Sequence, residues 1–204
     1  MTLWIHAWQS NSRIPGIHLS ESYTGPMVNS ISADLLDNIE FRRFSLENAP
    51  GGKTRTGFHL YNQRNGRHVN GTVTGIYYEH SHYPHNPQGD LTYENCVGFD
   101  IAAQFLQVVS RDPEACDPDG WNNVGTHSVI GCTARQCGLP RGVGRASFAL
   151  SFFGHQAGGG TTPRGRWDCP VLIKDTLVEH DSGGAYGLKG ALLVEWRPKL
   201  ELLG

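Results

Sequence analysis

The sequence contains no apolar run approaching the roughly 20 residues that a membrane-spanning helix needs, so bilayer insertion by helices is not expected. It has no positive surplus either. The formal net charge is −2, which argues against a nucleic-acid groove or a polybasic membrane surface. The amino terminus, MTLWIHAWQSNSR, has no early Lys or Arg and no extended apolar core, so no Sec-type leader is expected. Cysteine is sparse: there are five, an odd number, with no CxxC pair and no zinc-ribbon spacing. Cys96, Cys132, Cys137 and Cys169 are expected as small buried groups and Cys116 as part of a polar loop, with no His placed to activate a thiol. Gly142-Val143-Gly144 neither follows a strand nor opens a helix, so no phosphate-binding motif is present, and no nucleophile elbow occurs.

What is present is punctuation. Glycine accounts for 26 of 204 residues and apolar residues for only 38%, a balance that suits many turns and short strands better than long helices. One beat recurs: alternating strand residues, a bend, then a second short apolar segment. It is clearest in Val171–Asp181 (VLIKDTLVEHD) and repeats at Leu91–Phe99, His127–Arg135, Arg67–Gly75 and, more weakly, Asp37–Ser45. Aligning the bends gives a column of Phe41, Gly71, Asn95, Gly131 and Asp175. Further apolar segments follow each unit, at Phe58–Tyr61, Ile76–Tyr78, Ala103–Val109, Ala146–Phe153 and Ala191–Trp196. Two strands per unit with loops of variable length predict an all-β solenoid of about five short coils. The coils are expected over residues 37–204, behind a loop-rich capping segment at 1–36. Within that segment SADLLD, from Ser32, predicts one helical turn. Asn62–Arg67 reads as a turn and Tyr77–Asp90 as a loop too rich in Pro, Gly and His for a core. The chain ends on Leu200, Leu202 and Leu203, and a second copy is expected to cover that edge.

The units Asn95-Cys96-Val97, Gly131-Cys132-Thr133 and Asp175-Thr176-Leu177, each after alternating strand residues, resemble right-handed parallel β-helix proteins. That superfamily includes pectate-lyase-like enzymes and bacteriophage tailspikes and related virion proteins, and the resemblance spans roughly Asp37 to Trp196. It implies a single-stranded parallel β-helix. On the phage side it implies a homotrimeric, tailspike-like or capsid-decorating virion protein that contacts capsid or tail subunits and host-surface glycan. Fold alone does not identify function.

Three constellations carry candidate chemistry. Asp175, Glu179 and Asp181, with Arg135 or Lys174 assisting, are the catalytic set for a polysaccharide lyase or glycoside hydrolase, because residues two apart on a strand share a face. The plainer reading has Asp175 bonding a bend while Glu179 and Asp181 are solvated. His80, His82 and His85, with Glu79 and His59 near, are the candidate ligands of a divalent metal, the one cofactor considered; a packed Tyr loop with solvated His is the alternative. Asp112, Glu114, Asp117 and Asp119 invite calcium, but an EF-hand alignment places Ala115 at the first ligand, so a solvated acidic loop is expected. For contact with a partner or glycan the candidates are Trp4, Trp8, Tyr77, Tyr78, Tyr83 and Trp121. A non-enzymatic role is expected ahead of catalysis.

Overall fold

The computed structural model describes residues 2–21, 24–31, 35–110, 125–138, 148–154, 170–179, 190–194 and 200–203. Their regular structure is almost entirely strand, arranged in three sheets whose neighbouring strands all run parallel. The first sheet orders Leu3–Ile5, Pro26–Ser30, Thr56–Tyr61, His82–His85, Leu106–Ser110, Phe148–Gly154 and Gly190–Val194. The second orders Arg13–Pro15, Glu40–Arg42, Gln63–Val69, Gln88–Glu94, His127–Ile130, Val171–Lys174 and Leu200–Leu203, with Leu36–Asp37 paired at its side. The third orders His18–Glu21, Ser45–Asn48, Thr72–Thr74, Val97–Ile101, Thr133–Cys137 and Leu177–Glu179. Along the chain the strands enter the first, second and third sheets in rotation, an arrangement compatible with a parallel β-helix. Among the described residues no helix is long and apolar enough to cross a membrane.

Side-chain alternation aims one file of each sheet inward. Val28, Phe58, His82, Leu106 and Leu150 stack in register on the first sheet. Phe41, His68, Tyr93 and Val129 stack on the second, and Leu46, Val73, Gly98 and Ala134 on the third. All of these are buried. Each Phe or Leu withdrawn from water contributes about 1.5–3 kcal/mol relative to an exposed position.

Between the second and third sheets the chain turns on a single left-handed residue. The column is Gly16, Arg43, Asn70, Asn95, Gly131 and Asp175, with φ of 67°, 53°, 54°, 51°, 60° and 49°. Asn, Asp and Gly adopt that region at little cost. Each N–H donates to a carbonyl one coil on: Asn70 to Glu94 and Asn95 to Ile130, both at 2.9 Å. The Asn95 side-chain amide also donates to Asn70 Oδ1 at 3.2 Å.

Several sequence expectations shift. Asn95, Gly131 and Asp175 hold the bend as expected, but Arg43 and Asn70 take the places given to Phe41 and Gly71. Phe41 is a core residue, and Gly71 follows the bend because the Phe44 ring occupies the space a Cβ would fill. The alternating stretches are two strands broken at the bend, so a unit has three strands instead of two. Residues 3–30, read as loop, already supply Leu3–Ile5, Arg13–Pro15, His18–Glu21 and Pro26–Ser30; strands this short leave no sustained period. Leu36–Asp37 is strand, not the end of a helical turn, and the expected turn at 62–67 is mostly strand Gln63–Val69 with left-handed Asn62 and Asn65. The first-sheet strand that follows the second unit is His82–His85, inside the stretch read as loop, and not the expected segment Ile76–Tyr78. Cys96, Cys132 and Cys137 are buried thiols as expected, while Cys116 and Cys169 lie outside the described residues.

Candidate functional site: an aromatic and imidazole strip on the first sheet

In strand Thr56–Tyr61, Phe58 and Leu60 face the core, so His59 and Tyr61 face outward. In the neighbouring strand His82 takes the core position, which puts Tyr83 and His85 on the opposite face, His85 itself buried there. The register pairs His59 with Tyr83 and Tyr61 with His85. Cross-strand neighbours on one face are close enough for rings to meet. His59 and Tyr83 stack with centroids 5.3 Å apart and planes 14° from parallel. Tyr61 and His85 lie 4.9 Å apart and Tyr83 and His85 4.0 Å. Diagonally, the Nε2 atoms of His59 and His85 are 3.2 Å apart and share a hydrogen bond.

The strip continues at the start of these strands. Arg55 grips Glu79 through Nη2 at 2.6 Å and Nε at 2.8 Å, both to Oε1, and Thr56 Oγ1 donates to Oε2 at 3.0 Å. Burial works to raise the Glu79 pKa, but these bonds and the neighbouring His80 hold it below the ordinary carboxylate value. Glu79 is therefore an ionised acceptor, poorly suited to donating a proton. Thr24, Arg55, Tyr78 and Glu79 line a cleft of about 340 Å³. Tyr77 packs edge-on against Tyr78 at 4.8 Å, and Lys53 Nζ stands 5.9 Å from the Tyr77 centroid. His80 links the two ends: its ring is 4.5 Å from Tyr83, and Nδ1 accepts the Gln104 N–H at 3.4 Å. Burial pushes the His80 pKa down to about 4 against the pull of Glu79, so the ring is neutral at pH 7.

No protein-family model matches the chain, and neither a curated protein nor a solved structure matches it.

Of the candidate contact residues, Tyr77 packs on Tyr78, which lines the cleft, and Tyr83 packs on His59, His80 and His85. Trp4, 48% exposed, lies on the same sheet, in register with Asn29, which in turn pairs with His59. Trp8, 80% exposed, sits apart in the short 3-10 turn Ala7–Gln9, stacked on His6. Trp121, Asp181 and the acidic loop at 112–123 lie outside the described residues. The three histidines expected to share a metal do not converge: His80 meets Tyr83, His82 points into the core between Phe58 and Phe105, and His85 faces His59. Among the described residues no group of three or more His, Cys, Asp or Glu stands together to hold a metal ion. Of the candidate catalytic set, Asp175 forms the left-handed bend and Lys174 precedes it, exposed. Arg135 and Glu179 form an ion pair with each other on the third sheet.

Sequence reading missed Arg55, and it put His59 near His80, His82 and His85 without singling out the His59–His85 contact. The signal is an offset of 24 residues that carries His59-Leu60-Tyr61 onto Tyr83-Pro84-His85 with imidazole and phenol exchanged. A second unforeseen cluster lies on the second sheet, where Arg13, Arg42 and Arg67 surround Glu40 at 2.8, 2.7 and 3.1 Å. The Arg42 hydrogen bond, with the nearby guanidinium charges, lowers the Glu40 pKa against the opposing effect of burial. Its arginines are half exposed, so each pair contributes about 1 kcal/mol or less.

Proposed function

We propose that the chain is a right-handed, single-stranded parallel β-helix acting as a non-enzymatic contact protein that binds carbohydrate on its first sheet. The observation that carries this reading is the continuity of Tyr78, the Arg55–Glu79 pair, Tyr83 and His59 along one face beside a cleft. Sugars present apolar C–H faces that pack on aromatic rings and hydroxyls that need donors and acceptors close by. The strip supplies rings with polar tips, a guanidinium and an ionised carboxylate. Because Arg55 holds Glu79 ionised, binding without turnover fits the site better than acid catalysis.

The resemblance to phage β-helix proteins supplies the setting: a tailspike-like or capsid-decorating virion homotrimer meeting host-surface glycan. The test is a glycan array probed with the purified chain, followed by product analysis on every bound glycan. Binding without cleavage supports the reading. Cleavage that disappears in Glu179→Gln with Asp181→Asn supports the lyase or hydrolase alternative, and absence of binding across a broad panel removes the carbohydrate reading.

A further inference from the structure

We propose that His59 and His85 form a two-imidazole site for a divalent ion of the zinc, copper or nickel kind. The geometry of the two rings carries this site independently of the carbohydrate reading. Two nitrogens each about 2.0–2.1 Å from one tetrahedral ion stand roughly 3.3 Å from each other. The Nε2 atoms of His59 and His85 are 3.2 Å apart, so the pair already has the separation such an ion imposes. Neighbouring parallel strands set it, His85 lying in register with Tyr61, two residues beyond His59 and on the same face.

Two neutral imidazoles that share one Nε2···Nε2 hydrogen bond are opposite tautomers, one donating and one accepting. An ion between them takes both Nε2 lone pairs; the donor ring moves its proton to Nδ1, and no net proton is gained or lost. The rings are held for this. Tyr83 at 4.0 Å and Tyr61 at 4.9 Å flank His85, while Tyr83 stacks on His59. His85 is buried and His59 half-buried, which leaves the His59 side as the approach. Imidazole suits zinc, copper and nickel, whereas magnesium and calcium prefer oxygen ligands. Among the described residues the site has these two ligands, and water completes the coordination.

Calorimetric titration of the full chain with zinc, and with magnesium as control, tests the site. Variants His59→Ala, His6→Ala and His18→Ala separate it from histidines elsewhere on the chain. Wild type is expected to bind one zinc ion per chain at this site and to ignore magnesium. Losing an outer-shell partner of a metal ligand already costs roughly 10–100-fold in affinity, so His59→Ala is expected to weaken zinc by at least about tenfold while His6→Ala and His18→Ala leave that event unchanged. No zinc binding by wild type, or undiminished binding by a folded His59→Ala, overturns the proposal. If His59→Ala fails to fold, copper titrated into wild type decides by nuclear magnetic resonance. Broadening of the His59 and His85 ring signals ahead of all other histidines supports the site, and any other order overturns it.

Discussion

His82 stacks on Phe58 inside the core, ring centroids 5.2 Å apart and planes 11° from parallel. It also meets His68 edge-on at 5.2 Å, so two neutral imidazoles share an aromatic interior with Phe41, Phe44 and Tyr93. Burial lowers the pKa of His82 to about 3 and that of His127 to about 4, and drives that of His68 well below its ordinary value. These folded-state values lie below the unfolded value of 6.5, so the unfolded chain binds more protons once pH falls below that point. Stability is fully present above about pH 6.5 and is lost as pH falls from there towards about 3, at up to about 1.4 kcal/mol per pH unit for each histidine. Urea unfolding at pH 7 and pH 5 should show a clear drop in midpoint. In His82→Phe the slope against pH should be shallower by one histidine's share; an unchanged slope would mean His82 is not buried neutral.

Gly71 and Gly16 should respond to alanine for different reasons. A Cβ at Gly71 would stand in the ring of Phe44, so Gly71→Ala overpacks the core and is expected to cost about 1–3 kcal/mol. At Gly16 nothing lies within 4 Å, but φ is +67°. There the cost is backbone strain of about 1–2 kcal/mol. Chemical denaturation of Phe44→Leu with and without Gly71→Ala checks the distinction. The smaller side chain should relieve much of the Gly71→Ala cost and none of the Gly16→Ala cost.

The bend ladder makes a third prediction. Asn95 combines a φ of 51° with the amide bond to Asn70. Asn95→Ala loses both advantages and is expected to destabilise by about 1–2 kcal/mol, whereas Asn95→Gly keeps the backbone and should cost less. Thermal melts of the two variants give the ranking, and an equal loss in both would assign the whole effect to the ladder bond.

These bends also explain what was legible. Asn95, Gly131 and Asp175 announce themselves because left-handed backbone selects those side chains. Arg43 does not, since Arg has no preference for positive φ, so the pattern alone points to Phe41 instead. The strand His82–His85 was hidden for a related reason: His and Pro are poor strand formers, and His82 gains its apolar surroundings from residues distant in sequence, among them Phe58, Phe44, Tyr93 and Phe105. Tyr77, Tyr78 and Tyr83 could be singled out as aromatics in a polar stretch. His59 and Glu79 could be set near the His80–His85 stretch by residue type, but the Arg55–Glu79 and His59–His85 contacts themselves join residues about one coil apart and depend on a register no local pattern encodes.

The trimeric reading makes a fourth prediction. Light scattering on the purified chain should give a mass near three times 22.4 kDa. A stable monomer would favour a solitary binding module and remove the trimeric virion setting.

The carbohydrate reading is tested most directly by calorimetric titration of the best array glycan into wild type, Tyr78→Ala, Tyr83→Ala and Glu79→Gln. Arg55 is largely exposed, so losing its ion pair with Glu79 should cost about 1 kcal/mol of stability or less, and the Glu79→Gln variant should remain folded. Each of the three substitutions is expected to weaken binding by about tenfold or more, with no glycan fragments released by wild type. Affinity unchanged in all three folded variants would contradict the assignment of the strip as the binding surface.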